Sequence, residues 1–435
     1  MMENLKVGVG RRVITPPMGY MLQGYTPARP ALSVYDDVHI TAFAFETAGV
    51  RSILFSAEVC NIRVEVIKMI KEPLEKATGV PAGNMIISCT HTHSSAHMSW
   101  ELEEDPENHY VVKTFIPMAI EAAMEALSNM RVAQMGVGTT WSDVAVNRRQ
   151  IKEDTGTVML GQNPYGSWDP TMTVVAFREP DGTPIGNIIH YGCHNTASAK
   201  TDEVTRDWAG VMVDRLEAFS GGMTAFVNGC GGDCGPRLPN GKTTGNLQMA
   251  QELGGKAGID AVKAYKNIDR WENAPMRVLA TRISLPLQDV GTPEQVRAEA
   301  AKLGDPAELK GTVLSSYKCL IERAEWLEAG NVPPTEEWID HTFIALGELV
   351  LQSIPFEPFS ILTLRIKEHS PFRHTLCLGY SNGSLSYFPS MDQIIRGGYE
   401  VRMFKTINLI PFRDDSEQFY VTASLQHIRK LYESR

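Results

Sequence analysis

The chain has 435 residues, of which 43% are hydrophobic and 21% charged, and its formal net charge is -10. This composition is ordinary for a globular enzyme, and the length allows one large α/β domain or two smaller ones. The negative charge excludes a general electrostatic attraction to nucleic acid or to anionic membranes. No apolar stretch reaches the roughly 18 residues that a membrane-spanning helix needs.

The amino-terminal sequence and the cysteines indicate the compartment. The first residues lack a basic segment followed by an apolar one, so we predict no signal peptide and expect a cytoplasmic protein. Seven cysteines are scattered through the chain, which favours reduced thiols over a disulfide framework. The closest pair, Cys230 and Cys234, has no second pair at ligand spacing, which disfavours a zinc-cysteine site.

The first half of the chain predicts alternating strands and helices. Apolar runs at 52–59 and 84–91 are typical of buried strands, and helical spacing predicts a helix over 64–79. Together they form a βαβ unit, which favours a mixed or parallel sheet. The later elements are a helix at 114–130, a strand–turn–strand unit at 172–194, a helix at 208–219, a strand entering a glycine-rich loop at 223–236 and a helix at 246–265.

The composition changes after about residue 275. A charged segment at 293–350 is predicted to be helical, and strands are predicted at 276–287, 359–366, 375–382 and 419–424. These elements predict an α/β fold with a mixed β-sheet core flanked by helices. We expect a main α/β part over residues 1–275 and an α+β part over 276–435, joined in one continuous catalytic domain.

A histidine cluster is the most informative local feature. The stretch CTHTHSSAHMSW (89–100) contains three of the eleven histidines: His91, His93 and His97. If the strand continues, successive side chains alternate between its faces; if it has ended, both His91 and His93 can approach one ion. Imidazole suits zinc, and catalytic zinc sites take three protein ligands and leave a place for water. Two polar histidines bonded to the backbone remain the alternative, and His97 belongs to the surface or to a substrate pocket.

A second histidine pair follows another apolar strand, in IIHYGCHNTAS (188–198). The carboxyl ends of parallel strands gather at one edge of a sheet, where α/β folds place their ligands. His194 is therefore a further metal-ligand candidate. His190 lies inside the apolar run, so we expect it in the core or behind a ligand.

Two more polar segments offer supporting groups. The loop NGCGGDCGPR (228–237) lacks the pattern of a phosphate loop, and its Asp233 either orients a histidine or belongs to a tight turn. In VNRRQ (146–150), Arg148 or Arg149 can hold a carboxylate or polarise a carbonyl if buried, and is otherwise solvated.

Taken in order, several motifs resemble the neutral/alkaline ceramidases, zinc-dependent hydrolases that cleave the amide of N-acylated sphingoid bases. The resemblance spans most of the chain, and the segment 293–350 matches poorly. The matching pieces are RRVITPPMG (11–19), THTHSS (90–95), VNRR (146–149), WDPTMTVVAFREPDGTPIGNIIHYGCH (168–194), DWAG (207–210), GDCGPR (232–237), PFEPFS (355–360) and YFPSMDQIIRGGYE (387–400).

The resemblance implies one zinc ion per chain. Its ligands would be His91, His194 and Glu357, with Tyr387 as a fourth or near ligand. Without the resemblance, Glu357 would be a turn residue and Tyr387 an aromatic residue at a strand end.

The resemblance also implies the catalytic groups. His93 would stand beside the zinc and contact the bound water or the transition state, and Arg148 and Tyr399 would hold the substrate carbonyl or oxyanion. An acid then protonates the leaving amine.

Three departures from the family shape the predicted function. Gly235 stands where the family has a serine, which excludes a serine nucleophile there. The sequence is shorter than the family's, so we expect no carboxy-terminal immunoglobulin-like domain, and we also predict no signal peptide. We therefore expect hydrolysis of a small soluble amide or ester, without nucleic acid or membrane insertion. An inactive ligand-binding member of the same fold is the alternative, and the sequence leaves a homo-oligomer open.

Two other hydrolase classes fit less well. A metallo-β-lactamase needs HxHxDH, but Ser95 and Ala96 precede His97. A TIM-barrel amidohydrolase places its HxH near the first strand, which position 91 does not match.

Overall fold

The computed structural model describes residues 4–98 and 109–434. The strands of its first half are β1 (Lys6–Val13), β2 (Met21–Leu22), β3 (Arg29–Pro30), β4 (Ser33–Val34), β5 (His39–Thr47), β6 (Val50–Ala57), β7 (Met85–Cys89), β8 (Arg131–Val132), β9 (Gln134–Trp141), β10 (Ala145–Ile151), β11 (Val158–Asn163), β12 (Thr171–Arg178), β13 (Pro184–Tyr191), β14 (Glu203–Val204), β15 (Met223–Asn228) and β16 (Cys234–Pro236). The later strands are β17 (Met276–Pro286), β18 (Glu336–Leu346), β19 (Leu349–Ser353), β20 (Glu357–Pro358), β21 (His374–Leu378) and β22 (Tyr387–Phe388).

Helices connect and cover these strands. The α-helices are α1 (Val64–Thr78), α2 (Ile116–Ser128), α3 (Asp207–Ser220), α4 (Leu247–Lys266), α5 (Pro293–Ala301), α6 (Gly311–Glu328), α7 (Ser360–His369), α8 (Met391–Arg396), α9 (Tyr399–Thr406) and α10 (Ser416–Glu433). A 3-10 turn at Ala82–Asn84 precedes β7, and a π-helical turn at Val111–Phe115 leads into α2.

Three large sheets share one construction. Their strand orders are β7-β6-β5-β1-β8, β15-β13-β12-β9 and β17-β18-β19-β21. Each is antiparallel except for one parallel pair at an edge, namely β6–β7, β13–β15 and β19–β21. Each parallel pair is joined through a helix, α1, α3 or α7, as parallel strands require. The predicted βαβ unit around 64–79 is the first of these three units.

The three sheets face one another across a central core. This core combines apolar side chains from the first sheet, such as Phe45, from the second, such as Val175, and from the third, such as Leu351. Helices α1 and α2 cover the outer face of the first sheet, α3 and α4 that of the second, and α7 and α10 that of the third. Because both faces of each sheet are covered, strands such as β7 are buried at every position. The predicted class, α/β with sheets flanked by helices, is confirmed.

Two glycines let helix α2 lie close to strand β1. A Cβ added at Gly8 would stand 2.0 Å from the carbonyl oxygen of Ala126, and one at Gly10 would stand 2.2 Å from that of Ala122. Any larger residue would push the helix from the sheet.

The division at residue 275 stays a prediction. The central core draws residues from both sides of that position, for example Val7 and Leu376.

Three predicted elements were wrong. The strand predicted at 359–366 lies in helix α7 from residue 360 onward, and the one predicted at 419–424 lies in α10. The segment predicted helical at 293–350 contains strands β18 and β19 after helices α5 and α6. Short apolar runs are compatible with both helical and strand periodicity. Helical spacing is visible only over the longer set of buried residues in α10, which are Tyr420, Ser424, Ile428 and Leu431.

Within the described ranges, none of the helices is long and apolar enough to cross a lipid bilayer.

Candidate metal centre

The carboxyl end of β7 brings His91 and His93 together. The strand ends at Cys89, and His91 adopts a left-handed backbone with φ of 66°. The strand has therefore ended before the two histidines, and the Nε2 atoms of His91 and His93 lie 3.2 Å apart. Both rings therefore approach the same point, as expected if the strand ends before them.

His194 reaches that point from the second sheet. It follows β13, the strand paired in parallel with β15, so it stands at a carboxyl edge like His91. The His194 ring centroid is 4.5 Å from that of His91, and the two rings are perpendicular. The indole of Trp208 donates a hydrogen bond to the His194 carbonyl at 3.0 Å, which fixes the backbone behind the ring.

Backbone carbonyls orient both rings in the same way. His91 Nδ1 lies 2.8 Å from the carbonyl oxygen of Cys60, and His194 Nδ1 lies 2.8 Å from that of Gly231. A carbonyl oxygen only accepts, so each Nδ1 carries the hydrogen. In the neutral rings both Nε2 atoms then present lone pairs toward the centre, the arrangement that metal-binding histidines use.

Glu357 completes this group from the third sheet. It follows β19, and its short strand β20 pairs in parallel with β22, opposite Tyr387. Its Oε2 lies 3.3 Å from His91 Nε2 and 3.2 Å from His194 Nε2. That oxygen is buried and makes no hydrogen bond. One ligand atom from each of the three residues lies within 4.8 Å of the other two, and we call these residues the metal cluster.

The charge state of the metal cluster favours a cation at its centre. Three lone-pair atoms facing one another repel unless a positive charge lies between them. Burial lowers the pKa of His91, but Cys60 and Glu357 together raise that pKa to about 10. Burial opposes ionisation of Glu357, yet His91 and His194 hold its pKa well below the usual range. Without a metal, a proton on His91 therefore supplies the positive charge that balances the Glu357 carboxylate.

The other two histidine pKa values keep lone pairs available. Burial, followed by Arg148 and His91, lowers the pKa of His194 to about 3. Burial, followed by His91 and His194, lowers the pKa of His93 well below its usual range. Both rings are therefore neutral at physiological pH.

Arg148 and Tyr387 stand beside the metal cluster. The Arg148 guanidinium donates to the Tyr387 hydroxyl at 2.9 Å, and that hydroxyl is 3.5 Å from His194 Nε2. The Tyr387 ring lies parallel to the His194 ring, with a 9° interplanar angle. Burial, and then Glu357, raises the pKa of Tyr387 well above its usual value, so the phenol keeps its proton.

Glu400 holds the two arginines of VNRR. It accepts a hydrogen bond from Arg148 Nε at 3.1 Å and one from Arg149 at 2.6 Å. The neighbouring Tyr399 packs edge-on against Tyr387 with ring centroids 5.9 Å apart, and burial raises the pKa of Tyr399 to about 12. The structure therefore brings all seven predicted site residues into one region and gives Arg148 two partners there.

Sequence reasoning missed four neighbours of the site. Glu400 directly follows Tyr399 in a quoted motif, so its position was a usable signal. No signal in the sequence indicated Cys60, Tyr380 or Gly24. Cys60 Sγ lies 3.7 Å from His91 Nδ1, and the Tyr380 ring stacks on His91 with ring centroids 4.2 Å apart. Gly24 has φ of 106°, and a Cβ there would be 2.3 Å from His93 Cγ.

The remaining predicted residues have structural partners. His190 is buried, with Nε2 3.1 Å from the Cys377 carbonyl oxygen. Asp233 accepts hydrogen bonds from Asn147 and Ser360, which tie β10 to the start of α7, instead of orienting a histidine. His97 is partly exposed, and its amide donates to Met21.

All seven cysteines are unbridged in the structure, and the reduced state of their thiols stays a prediction.

Comparisons with solved structures identify the fold. A ceramidase solved in complex with C2 superimposes with a TM-score of 0.73 at 16% identity, covering 99% of this chain and 76% of that one. The neutral ceramidase of Pseudomonas aeruginosa gives a TM-score of 0.71 at 18% identity, covering 99% and 75%. Neither protein-family models nor curated protein sequences match the chain. The ceramidase-like fold expected from the ordered motifs is confirmed, and at these identities the reaction has to be argued from the site.

Proposed function

We propose that this protein is a zinc-dependent hydrolase that cleaves the amide, or ester, bond of a small soluble substrate. One observation carries the proposal. Two imidazole nitrogens with fixed tautomers and an unpartnered buried carboxylate oxygen meet at one point, where His91, His194 and Glu357 converge. Such an arrangement requires a positive charge at its centre, which a bound cation would supply in place of the proton on His91.

The donor set fits zinc. Two histidines and one carboxylate hold the metal in several hydrolytic zinc enzymes and leave a position for water. Tyr387 is close enough to the same point to act as a fourth or near ligand, and one such cluster supports one zinc ion per chain. Iron or manganese accept similar donors, so supply also decides which metal is bound.

When bound, zinc supplies Lewis-acid activation of water and of the substrate carbonyl. The chain supplies the proton transfers. Neutral His93 is placed to accept a proton from the attacking water and then to return it to the leaving amine or alcohol. Its Nε2 lies 3.2 Å from His91 Nε2, so this nitrogen faces the metal cluster.

Tyr387 and Arg148 are placed to stabilise developing negative charge. The phenol keeps its proton, and Arg148 contacts its oxygen, which makes the hydroxyl a stronger donor toward an oxyanion. Glu400 holds Arg148 in place, and Tyr399 packs against Tyr387 at the half-buried side of the site. These residues therefore bind and orient the carbonyl.

The Gly235 position supports the water route. A Cβ there would stand 2.7 Å from Thr243 Cβ, so the Thr243 side chain occupies the space that a serine side chain would need. The ceramidase fold supports an amide as the scissile bond.

The proposal is tested by metal content and hydrolysis together. The purified protein should contain about one zinc ion per chain by elemental analysis, and His91→Ala should lose it. The loaded wild type should hydrolyse a member of a panel of short N-acyl amides and esters. No zinc uptake, even after zinc is added, would contradict the proposal. Zinc binding without any hydrolysis would favour the inactive ligand-binding alternative.

A further inference from the structure

A lysine lies on the buried face of helix α1. The helix buries Val66, Ile67, Ile70 and Leu74 at helical spacing, and Lys71 lies among them with 7% of its surface exposed. Lysine is rarely this buried without a partner. Its long stem is accommodated by the apolar face, and the position of its amine then decides what it does.

The Lys71 amine belongs to a cavity rather than to an ion pair. Within residues 4–98 and 109–434, the structure gives Lys71 no hydrogen bond and no ion pair. It lines a cavity of about 350 Å³ between α1, the turn at Ala82–Asn84 and the paired strands β17 and β18. Burial lowers the pKa of the Lys71 amine to about 8, and Asp340 only partly opposes this. The amine is therefore still mostly charged at neutral pH.

The lining of the cavity has an excess of positive charge. Lys68 and Arg282 line it together with Lys71, and Glu72 and Asp340 are its acidic residues. Asp340 is paired with Arg282 at 3.5 Å, and both of those side chains are largely exposed. Lys71 thus lacks a close counter-charge although it is the most buried of the three cations. A bound anion would supply that charge in a low-dielectric position, where the attraction is strongest.

We propose that this cavity binds a small organic anion, a carboxylate or a phosphate, with Lys71 as the inner cation and Lys68 and Arg282 at the rim. Its lining shares no residue with the metal cluster. The volume is sufficient for a molecule with a few carbon atoms or for a single phosphate group.

The test uses the reactivity of Lys71 itself. The full-length, zinc-loaded protein is acetylated briefly with acetic anhydride at pH 8, and labelling is quantified by peptide mass spectrometry. Phosphate and succinate are compared with potassium chloride at matched ionic strength. Lys76, an exposed lysine of the same helix, is the internal control. At about ten times the dissociation constant, the anion should slow Lys71 labelling about tenfold and leave Lys76 unchanged.

The two anions separate the chemical sources. Protection by phosphate alone assigns a phosphate ligand, and protection by succinate alone assigns a carboxylate. No selective protection of Lys71 by either anion, or equal slowing at Lys76, would overturn the proposal. Because labelling is read at Lys71, an anion bound at the metal cluster does not affect the result, and the proposed hydrolase can fail while this test succeeds.

A variant gives an independent check. Lys71→Met keeps the length and the apolar stem but removes the amine. In the wild type, the protecting anion should raise the melting temperature saturably; in Lys71→Met the rise should disappear, and in Lys68→Met it should be reduced. An unchanged rise in Lys71→Met would place the anion elsewhere.

Discussion

Two groups of histidines lie in the interior, one where the three sheets meet and one between β18 and α10, and they differ in what their ring nitrogens face. In the metal cluster, His91 and His194 direct Nε2 toward the carboxylate of Glu357. In the second group, which we call the β18–α10 histidines, His341 and His427 face each other, with their Nδ1 atoms 3.2 Å apart.

The β18–α10 histidines have neutral hydrogen-bond partners. His341 Nε2 lies 2.8 Å from the amide nitrogen of Gln352, and that amide also contacts the hydroxyls of Tyr420 and Ser424. Burial, and then His427, lowers the pKa of His341 to about 3, so the ring is neutral. The described residues form no three-ligand group there.

This difference shows that buried histidines alone do not indicate a metal. A donor group such as the Gln352 amide satisfies a ring lone pair directly. The metal cluster instead opposes lone pairs to a carboxylate, and only a cation satisfies all of them. Variants in both groups should therefore separate metal binding from structural stabilisation.

The largest effect should come from removing one ring from each group. His194→Ala should reduce zinc affinity by more than the roughly 100-fold typical of losing a residue behind a ligand, and hydrolysis should fall with it. His341→Ala should keep its zinc but lose about 3 kcal/mol of unfolding free energy, because it leaves a cavity and unpaired groups. Elemental analysis and urea unfolding measure the two outcomes. Zinc loss in a folded His341→Ala protein would abolish the distinction.

A hydroxyl can be removed from each group in the same way. Tyr387→Phe keeps the ring stacked on His194 but removes an oxyanion donor, so kcat should fall about 100-fold with zinc retained. Tyr420→Phe removes a hydroxyl beside Gln352 and should cost about 1 kcal/mol of stability with full activity. Steady-state kinetics on whichever amide or ester the wild type cleaves, with zinc content alongside, check both. An unaltered kcat in Tyr387→Phe would remove the phenol from the reaction.

The pH dependence of stability should report the carboxylate. In zinc-free protein, the pKa of His91 is raised to about 10, above the roughly 6.5 of an unfolded histidine. Protonated His91 therefore stabilises the fold fully below about pH 6.5, and this contribution is lost as the pH rises through 10. Glu357→Gln removes one cause of the raised pKa, so its unfolding free energy should fall less between pH 6.5 and 10.

Urea unfolding in the presence of EDTA, at both pH values and for both proteins, gives the comparison. The pKa of Lys71, which burial lowers to about 8, changes stability in the opposite direction over this range. This contribution of Lys71 is the same in both proteins, so it cancels when their changes in unfolding free energy are compared. Equal pH dependence in the two proteins would contradict the role given to the carboxylate.

The smallest effect should come from the glycine beside His93. Gly24→Ala puts a Cβ against the His93 ring, so part of the proton-transfer contribution should be lost, about tenfold in kcat, with zinc retained. Gly182→Ala is the matched control, because Gly182 has φ of 95° and nothing within 4 Å of an added Cβ. Both variants should lose about 1 kcal/mol of stability, and only Gly24→Ala should lose activity. Equal kinetics in the two would show that His93 needs no support from Gly24.

Much of this arrangement was readable from the sequence. The βαβ unit around 64–79 and the strand ends before His91 and His194 have strong apolar runs, so their place at a sheet edge follows from periodicity. Glu357 and Tyr387 had no such signal, because their two-residue strands carry no pattern. They were predicted only through the resemblance.

The rest depends on contacts that no short window contains. The left-handed turn at His91, the approach of Gly24 to His93 and the stacking of Tyr380 on His91 all join segments far apart in the chain. The helices α7 and α10 were predicted as strands because short apolar windows fit both periods, and packing against the third sheet selects the helical face.

The three members of the metal cluster follow β7, β13 and β19, and so come from three different sheets. An ion held by all three therefore acts as a topological cross-link, comparable to a disulfide that closes two very long loops at once. Such a link restricts the unfolded chain more strongly the longer the loops it closes. Metal binding would thus make the three sheets unfold as one cooperative unit. The same ion that would activate water would then also stabilise the fold.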